Sequence, residues 1–455
     1  MKIDVLVAEI GSTTTVVNAF NEIYDICPTF VGQGQAPTSV GEGDVNIGLK
    51  AAIKDLSESL KVSKIQYDEL MSTSSAAGGL RMTVHGLVYD MTVRAAKEAA
   101  LGAGANLHMI TAGKMRRTDL NKLREINPNI ILIAGGVDYG ERETALHNAD
   151  LISGLNLDIP VIYAGNVENQ EEIREIFKDT KSRLYIVENV YPKIDQLNIE
   201  PTRKVIQEVF EEHIIHAPGM GKVREMVKGP IMPTPGAVML SAKLLKEELG
   251  DVLVLDVGGA TTDVHSVTEG SDEVNRILVS PEPISKRTVE GDLGVYINMK
   301  NIVDRIGIDN LSNKLDISTE ELSNLVEKHK PIPVSDIEKR FIEELTLEAT
   351  ITAVKRHAGK LRDLYGPNGK KTIAEGKDLT NIRYIVGTGG ALTRLPNRGK
   401  IMRSRALSNK GNELLPTKEA QILVDNNYIM ASLGVLSEKY PEAATKLLKT
   451  SLGIE

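Results

Sequence analysis

"VLVAEIGSTTTVVNAF", Val5–Phe20, decides the fold. An apolar run of strand formers ends on Glu9 and Gly11; Ser12, Thr13, Thr14 and Thr15 follow, and a second β-branched segment begins at once. The unit reads as strand, turn, strand. Glycine permits a tight turn with exposed backbone. Small residues after it leave N–H groups that can converge on an anion, and their hydroxyls add donors. A carboxylate beside an anion calls for a cation between them, most simply Mg²⁺ through its waters.

The stretch recurs. "VLVLDVGGATTDVHSV", Val252–Val267, matches it at seven of sixteen positions: Val5, Leu6, Val7, Gly11, Thr14, Thr15 and Val17 face Val252, Leu253, Val254, Gly258, Thr261, Thr262 and Val264. Glu9 faces Asp256, and the second turn runs Gly258, Gly259, Ala260, Thr261, Thr262, Asp263. A spacing of 247 residues is too long for a solenoid repeat and suits two similar domains. Two such hairpins can hold one polyphosphate from both sides.

The 455 residues allow roughly three domains of ~150 residues each. With 41% hydrophobic and 25% charged residues the balance is that of a globular chain, and with 4% aromatics and no tryptophan its core is aliphatic. A formal charge of −8 gives no support to nucleic-acid binding. The one cysteine, Cys27, excludes an internal disulfide and a CxxC pair; it is expected buried or half-buried, in the reducing cytoplasm. No apolar run is long enough for a membrane span. "MKIDVLVAEIG" is interrupted by Asp4 and Glu9, and reads as a strand rather than a signal peptide.

Three further stretches fall in order. "MPTPGAVMLSAKLLKEELG", Met232–Gly250, is a helix with Thr234 as cap, Pro235 in its first turn and Gly250 as stop. "NIRYIVGTGGALTRLP", Asn381–Pro396, ends a strand in Gly387, Thr388, Gly389, Gly390 and Ala391, where a flat ring or ribose could lie against the backbone. "DNNYIMASLGVLSEKY", Asp425–Tyr440, is a helix whose Ala431 and Gly434 allow a close crossing with the helix at Pro235.

Together these resemble the five ordered motifs of the actin-like ATPase superfamily: phosphate 1 (Glu9–Thr15), connect 1 (Pro233–Leu249), phosphate 2 (Asp256–Asp263), adenosine (Gly387–Thr393) and connect 2 (Asn427–Leu436). More narrowly, "AEIGSTTT", "STSSAAGGLRM" (Ser72–Met82), "LIAGGVDYGERETALHNA" (Leu132–Ala149), "LDVGGATTDVHSV" and "GTGGALTRLP" are similar to the glutamate mutase L family, which shares only an abbreviation with mismatch-repair ATPases. The resemblance implies an α/β fold of duplicated actin-like (ribonuclease H-like) ATPase domains with an inserted α/β module. It implies an ATP-dependent partner of adenosylcobalamin-dependent mutase subunits, releasing damaged cobalamin as the diol dehydratase reactivases do. A homo-oligomer is compatible with it. The expected division is 1–80 (first half), 81–228 (inserted module, a docking unit for the partner), 229–250 (connecting helix), 251–280 (second half), 281–380 (its insertion lobe) and 381–455 (adenosine turn and closing helix).

On that reading MgATP sits between the halves. Gly11, Ser12 and Thr13, with Gly258, Gly259 and Ala260, supply amides to the phosphates, and Thr13, Thr14, Thr261 and Thr262 supply hydroxyls. Glu9 and Asp256 hold Mg²⁺ through water, and Gly387–Ala391 support the adenosine. The superfamily usually has Asp at Glu9, and the chaperone members have a catalytic Glu where this chain has Met232, so hydrolysis is expected to be slow or to use Asp256 or Asp263 as base.

The inserted block alternates apolar strands with helical patterns, which argues for parallel βαβ units. "AGGVDYG", Ala134–Gly140, ends one such strand; a plain turn is its first reading, a ligand loop its second. The later lobe has a main helix expected over Asp336–Leu364, with Lys355 and Arg356 either on a solvated face or reaching the nucleotide. Glu290 and Asp292 are expected to cap a turn. "DVHSVTEG" begins like a cobalamin-binding Asp-x-His-x-x-Gly motif, but Thr268 stands where glycine is required, so His265 is not read as a ligand. Two other activities remain compatible with the motifs, an ATP-dependent amidohydrolase of the hydantoinase/oxoprolinase type and a filament-forming ATPase.

Overall fold

The structure is a computed structural model, and it describes residues 1–11, 14–39, 44–75, 80–214, 227, 231–366, 369–404 and 411–454. The chain divides into two compact units, Met1–Leu240 with Ala431–Lys446, and Ser241–Met430 with Leu447–Glu455. Of the three changes of unit along the chain, two fall within Thr234–Leu249 and Met430–Ser437, the two expected connectors, and the third within the helix Pro441–Leu452.

In the first unit β1 (Lys2–Ile10) pairs antiparallel with β2 (Thr14–Asn21), and β2 antiparallel with β3 (Thr29–Pro37). The helix Val45–Ser59 leads to β4 (Gln66–Ser74), parallel to β1. β1 is buried almost along its length, as a central strand covered on both faces must be. The inserted module follows: β5 (Leu80–Gly86), β6 (Ala105–Ala112), β7 (Ile130–Ile133), β8 (Val161–Tyr163) and β9 (Leu184–Ile186), all parallel, in the order β6-β5-β7-β8-β9. The expected strands β7 to β9 and their helices Glu143–Ser153, Gln170–Phe177 and Glu200–Ile214 are present. β5 and β6 were not expected. One hydrophobic core runs from Leu6 and Ala8 of β1 through Met82, Val84 and Leu132 of the insert to Phe210 and Ile231.

β10 (Ile231–Pro233) then pairs with β4, which completes the order β3-β2-β1-β4-β10. The helix Thr234–Leu249 stops where expected, at Gly250, whose φ of 93° is a left-handed conformation that suits glycine. The close crossing is there too: a Cβ on Gly434 would lie 1.8 Å from the Ala237 carbonyl oxygen.

The second unit repeats the sheet. β11 (Val252–Val257), β12 (Thr262–Val267), β13 (Ser285–Glu290), β16 (Tyr384–Thr388) and β17 (Gln421–Val424) take the order β13-β12-β11-β16-β17, with the same strand directions as in the first unit. The helix Asp336–His357 covers this sheet, its His357 bonding to Ser266 and Thr288. It ends seven residues short of the expected Leu364, because Gly359 must approach Gly376: a Cβ there would meet the Gly376 carbonyl carbon at 2.6 Å. Lys360–Gly366 instead forms β14, antiparallel to β15 (Gly369–Glu375). Among the described residues no helix is long and apolar enough to cross a membrane.

Candidate functional site

The duplication reaches the hydrogen bonds of the turns. In the first, Ile10 pairs with Thr15 and the Gly11 N–H donates to the Thr14 carbonyl at 3.0 Å; in the second, Val257 pairs with Thr262 and the Gly258 N–H donates to the Thr261 carbonyl at 2.9 Å. A Cβ on Gly11 would lie 2.7 Å from that Thr14 oxygen, so the first turn closes only on glycine. Ser12 and Thr13 lie outside the described residues.

The two upstream acids differ. Glu9 is buried, and its Oε1 accepts from the Ser432 N–H (3.1 Å), the Ser432 Oγ (2.7 Å) and the Asn18 Nδ2 (3.5 Å). Its Oε1 is therefore engaged with the first turn of the closing helix. The extra methylene relative to Asp supplies that reach. Asp256 is half-buried at the end of β11, with Gly389 against its Oδ1. Thr15 is buried and shares a hydrogen bond with Thr38, while Thr14 is half-buried.

The second turn is braced from one side. The Gly258 carbonyl accepts from the Val295 N–H, the Gly259 carbonyl from Tyr296 (2.9 Å) and Ile297 (2.8 Å), and the Ala260 carbonyl from the Asn298 Nδ2 (3.0 Å). Gly294 makes this fit possible, since a Cβ there would sit 2.3 Å from the Ala260 carbonyl. With the carbonyls held, the Gly259 and Ala260 N–H groups are without a hydrogen-bond partner among the described residues. Successive open amides on a fixed turn form a concave anion site.

The threonine hydroxyls expected to donate to a phosphate have other acceptors. Thr261 donates to Asp263 at 2.9 Å and Thr262 to the Leu293 carbonyl at 2.7 Å. Asp263 is buried and also accepts from the Arg287 Nε at 2.8 Å. The brace Gly294–Asn298 was missed in the sequence; its only signal is the glycine of "EGDLG". Glu290 and Asp292 do more than cap a turn: they clamp Arg356, whose guanidinium bonds both Asp292 oxygens (2.8 and 2.9 Å) and holds that carboxyl below its usual range.

The glycine turn after β16 is mostly closed. A Cβ on Gly387 would meet the Met402 sulfur at 2.5 Å; one on Gly389, whose φ is 80°, would meet Asp256 at 2.3 Å. Ala391 is buried, and Gly390 alone of the expected set is exposed, with nothing within 4 Å of its Cβ position. Thr388 donates to Asp425 at 3.0 Å. Asp425 is fully buried and also accepts from Ser451 and from the Ile429 and Met430 amides, yet burial still pushes its carboxyl upward.

Three other expected residues are settled by position. His265 is fully buried within β12, with no partner for either ring nitrogen among the described residues; burial and the Arg287 charge push its imidazole down to about 3. Met232 is buried in β10. Cys27 is exposed, contrary to expectation, because it lies with the 84% exposed Ile26 in the loop between β2 and β3.

Comparison with known proteins follows this geometry. A family model described as MutL protein matches residues 5–452. Protein MutL of Clostridium tetanomorphum is 34% identical over 423 residues, covering 90% of this chain and 92% of that one. Among solved structures, diol dehydratase-reactivating factor in nucleotide-free form is 11% identical with a TM-score of 0.37, over 97% of this chain and 100% of that one. Nucleotide-free acetone carboxylase is 14% identical with a TM-score of 0.43, over 96% of this chain and 70% of that one. The family model spans both duplicated turns, the relative covers 90% of the sequence, and the chain belongs to the MutL protein family.

Proposed function

We propose that this protein is an ATP-dependent reactivating factor for an adenosylcobalamin-dependent mutase or aminomutase, in which MgATP binding and slow hydrolysis drive release of damaged cobalamin. The observation that carries the reading is the braced second turn with its open Gly259 and Ala260 amides. Those amides bind phosphate oxygens, and the duplicate glycine at Gly11 supports the same chemistry in the first unit. The exposed Gly390 takes the adenosine side.

Among the described residues no group of three or more His, Cys, Asp or Glu could hold a metal directly. A cation delivered with the nucleotide and held through water needs no such group, and the half-buried Asp256 at the end of β11 supports that role. Bound Mg²⁺ would neutralise phosphate charge. Asp263, paired with Arg287, fixes the Thr261 hydroxyl and the strand end, so the base role falls to Asp256. Nucleotide state shifts partner grip only as far as ATP binds the two conformations with different affinity.

The test is equilibrium binding of ATP with Mg²⁺, phosphate release, and recovery of a mutase subunit from extract with and without ATP. Asp256→Ala is expected to weaken MgATP binding by about tenfold or more, or 1.4 kcal/mol. Absence of ATP binding in the wild type, or an unchanged Asp256→Ala variant, would sink the proposal.

A further inference from the structure

We propose that the carboxyl-terminal edge of the inserted parallel sheet is a protein-docking surface, anchored by Tyr139 and Tyr89, for an apolar patch with a basic rim. Because all five strands run one way, the loops after β5, β7, β8 and β9 leave the same edge. The strand order turns back between β5 and β7, the place where open α/β sheets take ligands.

A small molecule does not fit the crevice. Gly86, Gly135, Gly136 and Gly165 end the strands there, and all are buried. Their missing side chains let the loops pack on one another: a Cβ on Gly165 would lie 2.9 Å from the Gly135 backbone, and one on Gly136 lies 2.1 Å from the Glu141 carbonyl. The polar groups are also spent internally. Asn166 accepts from the Tyr139 N–H (3.1 Å) and donates to the Gly140 carbonyl, while Asn189 donates to Asp138 (2.9 Å) and the Gly136 carbonyl (3.1 Å).

This stitched edge shows large apolar side chains to solvent: Tyr139 is 79% exposed, Tyr89 56%, Val88 42% and Val167 41%. They sit on neighbouring loops, since Leu87 lies 3.7 Å from the Gly135 Cβ position and Asp138 accepts from the Val167 N–H at 3.0 Å. Tyr139 has a φ of 61°, a left-handed conformation that a bulky residue keeps only where its surroundings impose it. An exposed tyrosine on a fixed backbone has only two side-chain torsions to lose on binding and is a typical interface anchor.

Charge selects the occupant. In these loops and the helix start at Glu143, Asp90, Glu141, Glu143, Glu168, Glu188 and Asp195 are exposed against Arg142 and Lys193. Beyond β5, on the β6 side, Lys114, Arg116 and Arg117 reverse the sign and would orient a partner. An acidic rim repels nucleic acid, anionic membranes and a second copy of itself, and attracts a protein with basic residues around an apolar centre. This rests on the function proposed above, under which the partner is the mutase.

The experiment measures binding of the purified mutase holoenzyme to the full-length chain. Tyr139→Gly relieves the backbone and removes the ring, so thermal stability and ATP hydrolysis should hold while affinity falls about tenfold or more. Tyr89→Ala should weaken binding in the same direction, and Tyr365→Ala, 80% exposed on the β14–β15 hairpin, should not. If the wild type binds and both Tyr139→Gly and Tyr89→Ala stay within about twofold of it, the docking surface is wrong and the function stands. A wild type that binds no mutase overturns the proposed function and this surface with it.

Discussion

Glu9 and Asp256 occupy the same place in the two hairpins, and their surroundings separate them. Glu9→Ala removes the acceptor of the buried Ser432 N–H and hydroxyl, so the variant should lose about 1–3 kcal/mol of stability in thermal or denaturant unfolding. Asp256→Ala should act on MgATP affinity, lowering it by about tenfold in equilibrium binding. The pairing of these acids was legible from the repeat; the partner of Glu9 was not, because Ser432 lies 423 residues away along the chain. Histidines give a second prediction. His265 is held to about 3 and His85 to about 4, chiefly by burial, so each takes a proton in the unfolded chain near 6.5 but not in the native one. Stability is therefore full above about pH 6.5 and falls as pH drops toward those values, at roughly 1.4 kcal/mol per pH unit for each. In His265→Leu the loss of stability between pH 7 and pH 5, followed by denaturant titration, should be smaller than in the wild type.

At the scale of elements, hairpins and helices with local signals were readable: a glycine closing each turn, Gly250 stopping the connecting helix, apolar runs alternating with helical periods in the insert. What was missed depends on approach between distant segments. The brace Gly294–Asn298 carries no pattern of its own, and the end of the helix Asp336–His357 is set by a glycine pair, Gly359 and Gly376, that only the fold brings together. The brace is open to test. Gly294→Ala puts a methyl group 2.3 Å from the Ala260 carbonyl and must displace the turn. Nucleotide affinity should fall by about tenfold, 1.4 kcal/mol, while circular dichroism stays that of the wild type. An unchanged affinity would mean that the turn's position does not matter to the nucleotide.

Over the whole molecule, the sequence suggested a first half and a separate insert; one hydrophobic core runs through both, and a second, around Ile131, Ile133 and Tyr163, belongs to the insert alone. Removing residues 81–228 would uncover β10, against which the helix Glu200–Ile214 packs, and would take away the insert's share of that core. The shortened chain is expected to be insoluble or to bind a hydrophobic dye strongly; a soluble, cooperatively unfolding product would show that the insert is dispensable to the fold.

The closing helix has a consequence for how the protein is made. Residues 431–446 complete the first unit, yet the second-unit segment Ser241–Met430 is made before them. Between the emergence of Glu9 and of Ser432, 423 residues must be added. At about 5–20 residues per second, that is a delay of roughly twenty seconds to over a minute. For that interval the buried Asn18 and Glu9 lack their final cover, so vectorial folding of the first unit cannot finish, and the nascent chain presents a sheet face that invites a holding chaperone until the helix Met430–Ser437 arrives.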